Sequence, residues 1–354
     1  MKQPTAPLPR SPLDPWLAAR LGLPSVNPED VEAWQMAELR RTLAWAVRRS
    51  PFLAGRLAGI GLDTLRRHAD LARLPRMDAT ALGSPLLLTV SQDEVARVVS
   101  LNTSGSSGPA KRLFFTRADL ERTRDFFRVG MSTLCRKGDT VLVLLPGRRE
   151  WGVADLLARA LPDLEARPVL APEGWTPEDL HALMAEEGVS VLVAAPTQLR
   201  RLLAGPPQAL RPVRALLSTA EPLPGNLREA VQKAWGCEVF DHWGMTETGY
   251  GGGVECAAHS GLHLREADLL VEVACPATGE ALPPGETGEI LITTLGERAL
   301  PLLRYRTGDA ARLLPGPCAC GSPLRRLGPV QGRLAGDGCE LRSTEKNWRT
   351  WSTP

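Results

Sequence analysis

The sequence predicts an α/β protein: mostly parallel β structure flanked by helices, followed by a small antiparallel β section. Three observations carry this expectation. Between residues 140 and 241, short aliphatic runs alternate with helical stretches, the pattern of βαβ units that build a parallel sheet. From residue 251 to 314 the apolar runs stay short and turns divide them, as at Ala277-Thr278-Gly279-Glu280 and Pro283-Pro284-Gly285, which reads as antiparallel strands. The chain has 354 residues, 43% hydrophobic and 23% charged, enough for a large buried core and about two domains.

In chain order, residues 1–27 are Pro-rich and expected to be irregular around a short apolar segment, Trp16–Leu23. Asn27-Pro28-Glu29-Asp30 reads as a helix start, with an N-cap, a proline at the first helical position and acids in the first turn. Met36, Leu39, Leu43 and Val47 follow at helical spacing, and the helix should stop before Ser50-Pro51. Val98–Leu101 and Leu113–Phe115 are strand-like. Strands are then expected at Thr140–Leu145, Arg167–Leu170, Val189–Ala195, Val213–Ser218 and Glu238–Asp241. The intervening helices fall at Asp155–Ala160, Pro177–Glu187, Thr197–Leu203 and Gly225–Trp235. Leu269–Val273 and Glu289–Thr293 are strands of the antiparallel section.

Composition excludes several function classes. A net charge of +2 gives no general grip on nucleic acid or on an anionic membrane surface. No apolar run reaches the ~18 residues of a membrane span, and the first residues lack a secretory apolar region, so a cytoplasmic protein is expected. Seven cysteines in so long a chain do not make a disulfide scaffold.

The densest chemical signal is Ser100-Leu-Asn-Thr-Ser-Gly-Ser-Ser-Gly-Pro-Ala-Lys111. Gly105 and Gly108 let successive N–H groups turn toward an anion. Thr103, Ser104, Ser106 and Ser107 add hydroxyl donors, and Lys111 adds a point charge. The spacing is not that of a Walker A loop: two residues separate the glycines, and Arg112 rather than Ser or Thr follows the lysine. Two more segments lie at the C-terminal ends of expected parallel strands, the edge where open α/β sheets bind ligands: Leu216-Leu-Ser-Thr-Ala-Glu-Pro-Leu223 and Asp241-His-Trp-Gly-Met-Thr-Glu-Thr248. A carboxylate such as Glu247 beside a triphosphate is a reasonable magnesium ligand. Leu303-Arg-Tyr-Arg-Thr-Gly-Asp309 ends in an acid able to accept both hydroxyls of a ribose.

Taken in order, Ser104–Lys111, Ser218–Pro222, Trp243–Glu247 and Tyr305–Asp309 resemble the core motifs of adenylate-forming enzymes, the superfamily of acyl-CoA synthetases and luciferases. Within it the chain most resembles the phenylacetate–CoA ligase-like branch, through Leu71-Ala-Arg-Leu-Pro75, Gly261-Leu-His-Leu264, Pro301-Leu-Leu-Arg-Tyr-Arg306 and the Cys318/Cys320 pair. The resemblance implies the large N-terminal domain of such an enzyme: 1–100 as a helical and linking segment, 101–333 as the ATP- and acyl-binding core, and 334–354 as a hinge remnant and unstructured tail. It further implies ATP-dependent, AMP-forming activation of a carboxylic acid, aryl or arylacetic, to an acyl-adenylate and then an acyl-CoA. ATP, Mg²⁺ and CoA would be required, and a homodimer is common in that branch. Thr103, Ser104, Gly105, Ser106, Ser107, Gly108 and Lys111 would embrace the β- and γ-phosphates. Thr219, Ala220, Glu221 and Pro222 would line the adenine, and Asp241, His242, Gly244 and Met245 would border the nucleotide. Trp243 would stack near adenine or floor the acyl pocket, Thr246 would touch the α-phosphate, and Glu247 would hold Mg²⁺. Asp309 would bind the ribose, and Arg333 matches the arginine preceding the family's hinge. Residues 146–152 and 242–253 are placed at the acyl pocket, with Gly249–Gly253 leaving room for a ring.

Cys256, Cys318 and Cys320 with one histidine would complete a tetrahedral zinc site. In a Glu255–Leu264 hairpin, Cys256 and His263 would face each other across the base, with His259 in the turn; His263 is preferred and His259 is the alternative. The family also has a small C-terminal domain carrying a lysine needed for adenylation. Only about twenty residues follow Arg333, and the tail Ser343–Pro354 has no apolar period, so the chain is expected to lack that domain and to turn over poorly. The competing expectation is a non-catalytic nucleotide- or zinc-binding remnant.

Overall fold

The computed structural model describes residues 7–101, 111–205, 213–335 and 340–343. The first part contains α1 (Leu13–Leu21), α2 (Pro28–Val47), α3 (Pro51–Arg56) and a hairpin of β1 (Val95–Leu101) and β2 (Lys111–Thr116). An alternating section follows: α4 (Arg117–Met131), β3 (Thr140–Val143), α5 (Val153–Ala160), β4 (Arg167–Leu170), α6 (Pro177–Glu186), β5 (Val191–Ala194), α7 (Pro196–Ala204), β6 (Ala215–Ser218), α8 (Gly225–Trp235) and β7 (Glu238–Trp243). The remainder is all β: β8 (Gly253–Glu255), β9 (Leu262–Leu264), β10 (Leu269–Ala274), β11 (Gly288–Thr294), β12 (Tyr305–Ala311), β13 (Arg326–Leu327), β14 (Gly332–Ala335) and β15 (Glu340–Ser343).

The larger sheet has the order β13-β9-β8-β7-β6-β5-β3-β4. Its β7-β6-β5-β3-β4 part is parallel, as the alternation of strands and helices requires, and β8, β9 and β13 extend it antiparallel at one edge. Both faces of the parallel part are covered, which is why its inner strands β3, β5 and β6 are buried along their whole length. Along β5, Val191 and Val193 enter the main core with α4 and α5, while Leu192 and Ala194 enter a second core against α6, α7 and α8. The second sheet, β10-β11-β12-β14-β15, is antiparallel throughout. The main core is continuous from Leu13 to Leu327, so the N-terminal helices, the parallel sheet and the antiparallel section are packed together.

Local chemistry accounts for the element ends. Asn27 Oδ1 accepts the Asp30 N–H at 2.9 Å and caps α2, and Ser50 Oγ accepts the Leu53 N–H at 3.2 Å to start α3; such caps are worth about 1 kcal/mol each. Two expectations are corrected. Residues 13–21, read as irregular, form α1, held by burial of Leu13, Trp16 and Leu17 rather than by a local helical signal. Trp16 Nε1 donates to Asp125 at 2.7 Å, Arg20 pairs with Asp268 at 3.2 Å, and Ser322 Oγ donates to Asp14. Residues 340–343, read as unstructured tail, form β15 and pair with β14, because Gly332–Ala335 offers a free edge beside β12. Among the described residues, no helix is long and apolar enough to cross a membrane.

Candidate active site

The loops after β6 and β7 open at the C-terminal edge of the parallel sheet. Together with the β1–β2 hairpin, β12 and β14, they enclose a cleft of about 680 Å³. Lys111 enters from the first residue of β2, Ala220, Glu221 and Pro222 from the loop after β6, and Asp241–Glu247 from β7 and its loop; Asp309 comes from β12 and Arg333 from β14. Residues far apart in sequence thus share one crevice. Thr103, Ser104, Gly105, Ser106, Ser107 and Gly108 lie outside the described residues. Their flanks do not: Leu101 and Lys111 are register partners in the hairpin, so both ends of that segment sit at the cleft wall.

Two polar clusters face the cleft. In the first, Lys111 Nζ donates to Glu247 Oε1 at 3.4 Å and to the Tyr305 hydroxyl at 3.3 Å, and that hydroxyl donates to Glu247 Oε1 at 3.2 Å. Burial and the Glu247 charge push the Tyr305 phenol far above its ordinary pKa, so it stays a donor at any working pH. Sequence reasoning quoted Tyr305 inside a motif but gave it no role. In the second, Asp309 accepts from Trp243 Nε1 at 3.2 Å and from Arg333 Nε at 3.0 Å. Trp243 therefore forms a cleft wall and does not line the apolar pocket; its ring packs against Gly252, where an added Cβ would lie 2.4 Å from it. Thr246 borders the cleft beside Glu247.

The loop after β6 is anchored rather than free. Glu221 accepts from the Thr197 N–H at 3.0 Å and its hydroxyl at 2.6 Å, capping α7 with its carboxylate, while Ala220 is held at φ +70°. A non-glycine residue there costs about 1 kcal/mol or more, a strain that recurs at ligand-binding turns. Thr219 differs from expectation: its hydroxyl pairs with His242 Nδ1 at 2.8 Å and borders the apolar pocket, not the cleft.

Asp241 sits beside Glu255, which Arg228 grips through two bonds of 2.9 Å. Burial and the Glu255 charge push the Asp241 carboxyl up to about 7. The folded state therefore holds a proton that the unfolded chain releases near pH 4, and the stability gained from this group is lost as pH rises through about 7. Asp241→Asn should remove that loss: wild-type thermal midpoints should fall between pH 5 and 8 relative to the variant, and parallel profiles would refute it.

An apolar pocket of about 40 Å³ adjoins the cleft, with Phe126, Phe127, Met131, Leu157 and Tyr250 in its wall. Leu145 and Val153 contribute, whereas residues 146–152 between them do not. The glycines do not leave open room. An added Cβ at Gly251 would lie 2.5 Å from the Phe126 ring, so the protein's own aromatics occupy the space beside Gly251 and Gly252.

Cys256, His263, Cys318 and Cys320 place their four ligand atoms within 4.8 Å of one another, all buried. Cys256 Sγ and Cys318 Sγ are 3.7 Å apart, as are Cys320 Sγ and His263 Nε2. Metal–sulfur bonds of about 2.3 Å give a tetrahedron edge of about 3.8 Å, so the four atoms are spaced as zinc ligands. Gly321 at φ +82° turns the chain between Cys318 and Ser322, and the Ala258 N–H donates to Cys256 Sγ at 3.4 Å. Burial holds the His263 ring neutral, its pKa pushed down to about 4. Two sequence expectations change. His263 pairs across the hairpin with Val254, not Cys256, and reaches the thiols because it points opposite to Leu262 and Leu264, which enter the core. His259 is excluded: it bonds Glu255 at 3.3 Å and Glu238 at 3.1 Å, on the far side of the turn.

Comparison with known proteins agrees with this architecture. The AMP-binding enzyme family matches residues 90–296. The phenylacetate–coenzyme A ligase of Thermus thermophilus is 30% identical over 320 residues, covering 86% of this chain and 71% of that protein. The phenylacetate–coenzyme A ligase of Escherichia coli (strain K12) is 25% identical over 321 residues, covering 86% of this chain and 71% of its own length. In structure, a 2-hydroxyisobutyryl-CoA ligase in an open conformation superposes with a TM-score of 0.75 at 20% identity, over 87% of this chain and 76% of that one. That likeness establishes a shared fold. The chain belongs to the AMP-binding enzymes, the adenylate-forming superfamily, in its phenylacetate–CoA ligase-like branch.

Proposed function

We propose that this protein activates a carboxylic acid with ATP and passes the acyl group to CoA, an aryl or arylacetic acid being the substrate class its curated relatives suggest. One observation carries the reading: Lys111, Glu247, Tyr305, Asp309 and Arg333, from four separate parts of the chain, line or abut one cleft at the C-terminal sheet edge. In the first half-reaction a carboxylate oxygen attacks the α-phosphorus of ATP, forming the acyl–phosphate bond as the bond to pyrophosphate breaks. In the second, the CoA thiolate attacks the acyl carbon, a C–S bond forms and AMP leaves.

The chain's own residues supply position and charge, which carry most of the rate in such chemistry. Lys111 meets the phosphate tail as a point charge, and Thr103–Gly108 supply further donors. Asp309, steadied by Trp243 and Arg333, accepts the ribose hydroxyls. Ala220 and Pro222 border the base, and Thr246 the α-phosphate. Glu247 would hold Mg²⁺, which supplies charge neutralisation at the phosphates. Cys256, His263, Cys318 and Cys320 would hold a structural Zn²⁺. The working location is the cytoplasm, with no nucleic acid or membrane partner and a homodimer as the expected assembly.

The test is acid-dependent ATP–pyrophosphate exchange together with mass-spectrometric detection of acyl-AMP, using ATP, Mg²⁺ and a panel of aryl and aliphatic acids. Acyl-AMP with at least one acid is expected; ATP binding with no product from any acid would favour the non-catalytic remnant instead. Asp309→Ala should weaken ATP about ten- to hundredfold by calorimetry, since a charged acceptor of two hydrogen bonds is lost; unchanged affinity would remove Asp309 from the ribose site.

A further inference from the structure

His242 is the penultimate residue of β7 and borders both the cleft and the apolar pocket. Its Nδ1 is 2.8 Å from Thr219 Oγ1, which makes no other side-chain hydrogen bond among the described residues. The Thr219 hydroxyl hydrogen therefore goes to Nδ1, which leaves the ring hydrogen on Nε2. Burial, reinforced by the charge of Arg265, pushes the pKa down to about 4, so the ring is neutral at pH 7. Nε2 is shut off from solvent and has no hydrogen-bond partner among the described residues. His242 lines the apolar pocket together with Phe126 and Leu145, and an added Cβ at Gly251 would lie 3.5 Å from Nε2. Of the pocket's other polar groups, Thr219 is engaged with His242, and Tyr250 lies close to the Arg97 charge.

A buried donor without a partner is costly, and its cost is relieved when a ligand supplies an acceptor. We propose that His242 is a specificity-determining residue whose Nε2–H reads an oxygen acceptor on the body of the acid, so that the preferred substrate is a hydroxy-, oxo- or alkoxy-substituted acid rather than its hydrocarbon parent. This rests on the acid-activating reading above. It adds a selection rule to the apolar pocket: a site with a buried donor rejects the analogue lacking the matching group far more strongly than an apolar wall rejects an extra methylene.

The experiment measures kcat/KM for ATP–pyrophosphate exchange with matched pairs: phenylacetate against its 2-, 3- and 4-hydroxy and methoxy derivatives, and butyrate against 2- and 3-hydroxybutyrate. In the wild type the best oxygen-bearing acid should exceed its parent by about tenfold or more. His242→Leu should bring that ratio to about one, and His242→Gln, which keeps an N–H near the same place, should retain part of it. Hydrocarbon parents that react equally well in the wild type overturn the inference and leave the acid-activating reading standing. A ratio that survives in the leucine variant also overturns it. Absence of exchange with every acid overturns both. Should the leucine variant not fold, the wild-type ratio and the glutamine variant still decide.

Discussion

Glu247→Gln should lower the rate of acid-dependent ATP–pyrophosphate exchange by about two to three orders of magnitude, with little change in thermal midpoint. Glu247 sits at the meeting point of the Lys111 ammonium and the Tyr305 hydroxyl, its carboxylate almost wholly buried at the cleft wall. Glutamine keeps the shape and can still accept from Tyr305, so the fold should survive. It removes the negative charge that would hold Mg²⁺ at the phosphates and that balances Lys111. The deficit should lie mainly in kcat, because charge develops on the departing pyrophosphate in the transition state. Raising Mg²⁺ should recover part of the rate if metal affinity has fallen. Exchange at wild-type levels in the glutamine variant would remove Glu247 from the chemistry.

The second large effect concerns the cysteine cluster. The protein should contain about one zinc per chain by elemental analysis, and Cys318→Ser should abolish it. The variant should lose at least about 4 kcal/mol of stability, roughly 5 °C or more in midpoint for a chain of this size. The expectation follows from what the four residues hold together: Cys256 lies beyond β8, His263 is on β9, and Cys318 and Cys320 belong to the loop before β13. Three thiols packed together without a metal would be poor ligands for one another, and burial pushes the Cys256 thiol well above its ordinary range. A metal reverses that by favouring the thiolate. Stable protein with no zinc, indifferent to a strong chelator, would refute the assignment.

How much of this was legible in the sequence can be read from particular residues. The alternating section was legible because both periodicities were written plainly; α8, expected at Gly225–Trp235, occupies those residues. Helix α2 announced itself through Asn27 and Pro28. Helix α1 did not, because Pro12 and Pro15 obscure its start and its apolar residues find partners more than a hundred positions away. The cleft residues were legible as motifs, but their pairing was not. That Tyr305 touches Glu247, or that Trp243 serves Asp309, depends on how two sheets are set against each other. The choice between His259 and His263 needed strand parity: only alternation along β9 shows which ring leaves the core. The glycines after β7 were misread for a similar reason. A missing side chain shows that something approaches closely, and here the approaching groups are Phe126 and Trp243 rather than a guest molecule.

Helix α1 has a wider consequence. Through Asp14 it touches the turn that carries Cys318 and Cys320, through Trp16 it fastens α4, and through Arg20 it reaches Asp268 just before β10. A nine-residue segment near the start of the chain thus acts as a brace across three regions. Trimming it would loosen the turn that carries Cys318 and Cys320 and one face of α4, so damage to the amino terminus should be felt as lost alignment of the cleft before it is felt as unfolding.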